Sequence, residues 1–335
     1  MSTPTPTPND AGAPSRAPLA TAPRPESPGR GSGPRAKDPA ELKRQERRDG
    51  WSRRLPLLPA LVFTIVVTQL PFVLTIWYSM RSWNLLRPDG DIFVGLQNFV
   101  DIFSDSTFRG AALNSILITL GCVGASLVIG TLFAVLLDRD FKGRGIVRTL
   151  LITPFLIMPV ASSMLWGVSM LNPSYGLLNW VIGLFGAGPI DFTSQHPLFS
   201  VIMALVWQWT PFMMLLVLAG LQAQPKDVLE AASIDGAGWG KTFLFVTLPQ
   251  LRRYIELAVL LGSIYVVNTF DQIYLMTAGG PGTASANLPF YIYQRAFLGF
   301  DIGQAAAMGV VVVIATIVIA TFALRLIFRS FEEKD

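Results

Sequence analysis

The sequence predicts an all-α, polytopic membrane protein with six transmembrane helices, and three observations carry that reading. The 335-residue chain is 51% apolar and only 14% charged. That balance suits repeated membrane crossing better than a soluble domain. Six apolar stretches lie near 56–79, 111–137, 149–170, 199–221, 255–277 and 304–327. Each matches the roughly 20 residues that cross a hydrocarbon core of about 30 Å. They are too long and continuous for the alternating segments of about ten residues found in membrane barrels. Finally, the cations fall on alternate sides of the stretches. Seven lie between Lys37 and Arg54, four in 138–148, four in 222–253 and three at the C-terminal end (Arg325, Arg329, Lys334). The intervening loops hold four, Arg81, Arg87, Arg109 and Arg295. The positive-inside rule then places both termini in the cytoplasm. It also accounts for the net charge of +4 without nucleic acid.

Residues 1–36 are rich in Pro, Ser, Thr, Ala and Gly with no apolar period, which predicts a disordered cytoplasmic tail. Residues 37–54 form a basic juxtamembrane segment; within it, 39–50 suit either a short charged surface helix or a solvated stretch. The transmembrane domain covers 55–330, and 331–335 form a cytoplasmic end. Ser52-Arg53-Arg54-Leu55 begins like a twin-arginine signal, but the apolar run that follows is too long and leads into further spans. Pro71, Pro154, Pro159 and Pro211 fall inside spans, where each removes a helical hydrogen bond and bends or breaks the helix. The loops 81–110, 171–198 and 278–303 are too small for separate domains, and Asn179–Phe185 has the character of an interfacial segment.

The loop 222–253 is polar and set between two long apolar runs. Pro225, Asp227 and Glu230 suit the first turns of a helix. Gly236 supplies the positive φ that ends one. A second short helix is expected from Trp239 to about Val246, stopped by Pro249. Gly240-Lys241-Thr242 resembles the tail of a phosphate-binding loop, but Asp235 stands where that pattern needs glycine and no strand precedes it. Cys122 is the lone cysteine and His196 the lone histidine. The sequence therefore offers no disulfide, no metal cluster, and no nucleophile–base set for catalysis. Glu256 is explained by an interfacial position beside Arg252 and Arg253.

Glu230-Ala231-Ala232-x-x-Asp235-Gly236-Ala237, followed by Phe243 and Leu248-Pro249, resembles the EAA signature of ABC importer permeases. Further stretches resemble the sugar-importing branch, relatives of the maltose, glycerol-phosphate and polyol permeases. These are Trp207-x-Trp209-Thr210-Pro211-Phe212-Met213, Phe270-Asp271-Gln272-Ile273-Tyr274 with Gly279-Gly280-Pro281, Asn172-Pro173-x-Tyr175-Gly176, and Tyr291–Phe297. The resemblance covers roughly 55–330. It implies a type I importer architecture, located in the bacterial inner or plasma membrane. It also implies a second, homologous permease, two cytoplasmic ATPase subunits that use ATP and Mg, an extracytoplasmic solute-binding protein, and a sugar or sugar-alcohol substrate. No cofactor is expected on this chain. The loop becomes a coupling helix, with Glu230 making polar contacts to the ATPase, Gly236 setting the turn, and Ala231, Ala232 and Ala237 allowing close approach. Asp235 adds rim charge and Pro249 closes the motif. Ordinary helix packing is the other reading of Ala231 and Ala232.

A polar path must cross the apolar domain. Asp271 falls near the outer end of the fifth run, and a mid-membrane charge costs about 2.5–3.5 kcal/mol on insertion scales. On one continuous helix Asn268, Asp271 and Gln272 share a face with Tyr265 one turn earlier. Those four are the leading substrate-path candidates, followed by Trp166, Trp207 and Gln208, with Ser162 and Ser163 behind. Asp271 has a second reading, as the ion-pair partner of Arg295 at an outer gate. Two alternatives belong to other classes: an ion-gradient-driven transporter or channel, and a membrane-embedded enzyme. The first has no need of the 230–249 loop, and the second lacks catalytic groups.

Overall fold

A computed structural model describes residues 55–87, 91–186 and 188–332. The expectations for 1–36, 37–54 and most of 331–335 lie outside the described residues. The chain divides into two units, Met1–Thr64 and Ile65–Asp335. Of the first, only 55–64 are described: the 3-10 turn Leu55–Leu57 and the opening of helix α1 (Leu58–Ser79). Helix α1 is apolar all round and exposed along most of its length, the surface of a helix that meets lipid or another membrane helix.

A short ribbon follows, β1 (Arg81–Ser82) antiparallel to β2 (Ile92–Phe93). Helix α2 (Gln97–Ser104) is tied back by the buried Asn98 amide, which donates to the carbonyls of Ser79 and Arg81. Helix α3 (Ser106–Asp138) opens on Asp105, whose carboxylate caps the Thr107 N–H at 2.8 Å. This satisfies an end donor that the helix itself cannot.

Helices α4 (Arg144–Leu156) and α5 (Pro159–Met164), the latter running on into a π turn (Leu165–Met170), occupy the third apolar run. They are bent by 95°, so the expected single span 149–170 is corrected to an elbow. The cause is local. Ile157 and Met158 are extended, with ψ of 133° and 139°, because the residue before proline is driven from helical geometry and Pro159 cannot donate. Helices α6 (Leu177–Leu184) and α7 (Phe192–Gln195) cover the next loop.

Helix α8 (Pro197–Gln222) is the core. It packs on α3, on α4 and on α11 (Leu248–Val267). Small residues permit the approach: a Cβ on Gly130 of α3 would stand 2.8 Å from the backbone nitrogen of Met214. Between α8 and α11 lie α9 (Lys226–Ile234) and α10 (Trp239–Thr242), followed by the π turn Phe243–Thr247. Pro249 therefore does not stop a helix, as the sequence suggested. It sits in the opening turn of α11, where its missing N–H falls just after the widened turn.

The fifth run is corrected as well. Helix α11 ends at Val267, and α12 (Asp271–Met276) begins after a break at Asn268–Phe270. Helix α13 (Leu288–Tyr293), its π turn (Gln294–Leu298) and α14 (Ile302–Glu332) complete the chain. Four described helices are long and apolar enough to cross a membrane, and the bent pair brings the number to five. Helix α11 falls outside that measure; it carries Arg252, Arg253 and Glu256 near its start.

Candidate functional site

Two regions gather the residues singled out in the sequence. The first is the loop between α8 and α11. Pro225 precedes α9 with extended ψ of 127°, and Asp227 lies in its first turn. At the other end, the Ala237 N–H reaches the Ala232 carbonyl at 3.0 Å and the Gly236 N–H reaches Ser233 at 3.1 Å. With Gly236 at φ +75°, this is a Schellman cap, in which a left-handed residue lets the chain turn back on the last helical carbonyls. The sequence placed that stop at Gly236. Glu230, Ala231, Asp235, Gly236 and Pro249 are exposed, while Ala232 and Ala237 are half-buried inside the turn.

Apolar residues missed in the sequence crown the same loop: Ile234 is 85% exposed and Phe245 77%. Trp239 stacks on Phe243 at 5.9 Å, and the Arg139 guanidinium lies 5.7 Å from the Trp239 ring centre. Gln224 closes the base by donating to the Thr247 carbonyl at 3.1 Å. Between loop and bundle is a cavity of about 230 Å³ lined by Asp138, Arg139, Gln224, Leu229, Trp239 and Phe243 among others. The Arg139 contact joins residues a hundred positions apart, so no local signal marks it.

The second region is where the two broken runs meet. Helix α12 packs against α5. Gln272 is buried and donates to Gln208 Oε1 at 2.7 Å; Gln208 in turn donates to the Ile157 carbonyl at 3.0 Å. One amide chain thus links α12, α8 and the elbow. Trp166 meets Trp207 edge-on at 6.0 Å. Among the described residues the buried Trp166 indole N–H and Ser162 hydroxyl have no hydrogen-bond partner, whereas Ser163 donates to the Pro159 carbonyl at 2.7 Å.

The break removes the common face expected for Tyr265, Asn268, Asp271 and Gln272. Tyr265 is exposed and stacks on Trp209 at 5.5 Å. Asn268 is exposed and donates to the Ile264 carbonyl. Asp271 is half-buried at the start of α12, and its carboxylate has no hydrogen-bond or ion-pair partner among the described residues.

Nor does Asp271 pair with Arg295. That guanidinium bonds Asp105 Oδ2 and the Tyr291 hydroxyl, each at 2.7 Å, and Tyr291 donates to the same carboxylate oxygen at 2.5 Å. Burial pushes the Asp105 carboxyl up, but the Tyr291 hydroxyl, the Thr107 N–H and Arg295 outweigh it and hold it below its ordinary value. A ladder of rings, Phe270, Tyr274 and Tyr293, packs beside Asp271's helix at 5.3–5.5 Å. This ladder was missed in the sequence; the i, i+4 spacing of Phe270 and Tyr274 is the one local signal for it.

A broken-helix bundle with an exposed, rigidly capped loop is the form of a membrane transport subunit. Residues 126–332 match the family described as binding-protein-dependent transport system inner membrane component, and this chain belongs to that family. It is a multi-pass inner-membrane permease subunit with no enzymatic role of its own. It is 35% identical over 275 residues to a probable ABC transporter permease of Sinorhizobium fredii, covering 82% of this chain and 89% of that one. The trehalose/maltose permease MalF of Thermococcus litoralis is 35% identical, with 80% and 90% covered. The sn-glycerol-3-phosphate permease UgpA of Salmonella typhimurium is 32% identical, with 86% and 96% covered. In a solved bacterial importer of the acidic polysaccharide alginate, one chain superimposes with a TM-score of 0.70 at 24% identity, over 86% of this chain and 99% of that one. At that identity the likeness speaks for the fold alone.

Proposed function

We propose that this chain forms half of the translocation pathway of an ATP-driven importer for a carbohydrate, either a sugar or a sugar alcohol. The observation that carries the reading is the exposed, Schellman-capped loop at 230–249. Its hydrogen bonds hold a compact knob outside the apolar bundle, where an aqueous partner can press on it. In this reading Glu230 and Asp235 meet a separate ATPase, the small Ala231, Ala232 and Ala237 keep the knob slim, and Gly236 fixes its turn. Pro249 joins knob to α11, so force on the loop reaches the broken helix directly. ATP and Mg belong to two ATPase subunits. A second, homologous permease completes the pathway, and an extracytoplasmic binding protein delivers the solute. Both termini face the cytoplasm. The substrate path runs past the elbow, where Trp166, Trp207, Gln208, Tyr265, Asn268, Asp271 and Gln272 cluster around two helix breaks. Broken helices in membranes belong where they line a cavity or path. The names of the MalF and UgpA relatives support carbohydrate as the class.

The test is reconstitution. The chain is expressed with the permease, ATPase and binding protein encoded beside it, and uptake of labelled sugars and polyols into liposomes is followed with and without ATP. ATP-dependent uptake is expected. Uptake driven by an ion gradient without ATP, or failure to co-purify any ATPase, would refute the reading in favour of a secondary transporter.

A further inference from the structure

Helices α3 and α4 both pack on α8 and are joined by the turn 139–143, which Gly143 closes at φ +89°. Between them lies a cavity of about 500 Å³, lined mainly by Phe133, Leu136 and Leu137 of α3 and Val147 and Leu151 of α4, with Arg139 on its wall. Leu136 and Leu150, on the two helices, are exposed, as side chains that face lipid are. Helix α3 is long and apolar enough to cross a membrane, and its apolar run ends at Asp138. The cavity therefore lies where the span reaches the headgroup region. Segment 138–148 carries four cations, Arg139, Lys142, Arg144 and Arg148, against two acids, Asp138 and Asp140. The acids do not cancel the cations at the cavity. Asp140 reaches its wall but is paired with Arg144 at 3.0 Å, and Asp138 lines the separate cavity under the loop. Lys142 and Arg148 are exposed and have no ion-pair partner among the described residues. Arg144, Val147, Arg148 and Leu151 stand three and four apart on one face of α4. The face that gives the cavity its apolar wall is thus crowned by cations.

We propose that this cavity binds a phospholipid with a net negative headgroup. An acyl chain lies between α3 and α4, and the phosphate meets Arg139, Lys142 and Arg148. Cations at the end of a span follow from topology alone, but an apolar cavity beside them does not. A soluble acidic partner would answer the cations and leave the apolar wall empty. A zwitterionic lipid would fill the wall and bring an ammonium toward the cations. An anionic lipid satisfies both, as basic pockets between membrane helices do elsewhere. The planar guanidinium fork also matches two phosphate oxygens. Arg139 joins this site to the loop, because the same guanidinium lies 5.7 Å from the Trp239 ring centre. A headgroup here touches the side chain that seats the loop. Which leaflet supplies the lipid rests on the orientation proposed above; the chemistry of the site does not.

The test is native mass spectrometry of the complete purified complex, equilibrated in mixed micelles of phosphatidylglycerol and phosphatidylcholine with identical acyl chains. Retained phosphatidylglycerol is expected to exceed phosphatidylcholine about tenfold or more. Lys142→Gln with Arg148→Gln brings the ratio toward parity, at about fivefold for each cation lost. Val147→Trp, which fills the cavity and keeps every charge, lowers phosphatidylglycerol retention severalfold. Arg325→Gln removes an exposed cation from α14 and leaves ratio and retention unchanged. Equal retention of the two lipids would overturn the proposal. So would a loss with Arg325→Gln as large as with the double variant, which would mean attraction to the whole charged face. A cross-link from Lys142 to the ATPase that phosphatidylglycerol does not displace would assign the face to a protein partner and equally overturn it. None of these readouts depends on transport, so the importer reading stands or falls separately, on ATP-dependent uptake.

Discussion

The loop at 222–253 and the elbow where the broken runs meet are built by opposite rules. The loop's shape comes from neighbours in sequence: Ala232, Ser233, Gly236 and Ala237 bond one another within a few residues. The elbow's comes from partners far apart: Gln208 reaches 51 residues to Ile157, and Gln272 reaches 64 to Gln208. The capped turn of the loop is exposed at Glu230, Ala231, Asp235 and Gly236. At the elbow the bend at 156–160 is largely exposed but Gln208 and Gln272 are buried, so these two amides are committed to one arrangement and a change at one is felt by the other. If the loop is the docking surface and the elbow the path we propose, the first is specified locally and the second cooperatively.

The sharpest way to break this contrast is at the amide chain. Gln208→Leu leaves the Gln272 amide and the Ile157 carbonyl buried without their partner, a cost of about 1–3 kcal/mol. The thermal midpoint of the purified complex falls. Gln208→Leu with Gln272→Leu together costs less than the two single losses added, because the stranded amide is gone. Strict additivity would show that the two do not act as a unit.

At the loop the expected loss is of function rather than stability. Gly236→Val forces a β-branched residue to φ +75°, with strain of roughly 1–2 kcal/mol. That is about tenfold in the population of the docked geometry. Solute-stimulated ATP hydrolysis drops by a similar factor while the melting curve of the bundle holds. A melting shift as large as that of Gln208→Leu would erase the distinction between the regions.

Arg139→Ala removes the cation over Trp239, about 0.5–1 kcal/mol at an exposed site. It loosens the loop's seat, seen as faster amide exchange in 238–247 with the elbow unchanged.

The smallest effect is electrostatic. The folded Asp105 carboxyl lies below its ordinary value. Its contribution is therefore full above about pH 4, the unfolded carboxylate range, and is lost as pH falls through the lower folded value. The pair is partly exposed, so the contribution is roughly 0.2–1 kcal/mol. Arg295→Ala flattens this acid limb of the stability curve; an unaltered limb would show that Arg295 does not sustain the shift.

The same division explains what could be read from sequence. Apolar length announced α1, α3, α8 and α14, and Gly236 announced the loop's turn, because these signals are local. Proline marked the elbow at Pro159 but not its depth, since a proline bends one helix and breaks another according to the surrounding packing. The break before Asp271 carried no proline or glycine, so the pattern ran straight through it and four residues were put on one face that the chain does not build. Arg295 was matched to Asp271, the acid closer in sequence, because its bond to Asp105 spans 190 residues.

Arg139 adds a side-chain fastening to the two ends by which the loop already continues from α8 and into α11. Through α10 and its π turn the knob is continuous with α11, and through the ring of Trp239 it also touches the end of α3. A handle held only by its ends swivels and dissipates a push as rotation. Under the coupling we propose, this further pin on the end of α3 lets a small displacement at the loop act as torque on the core.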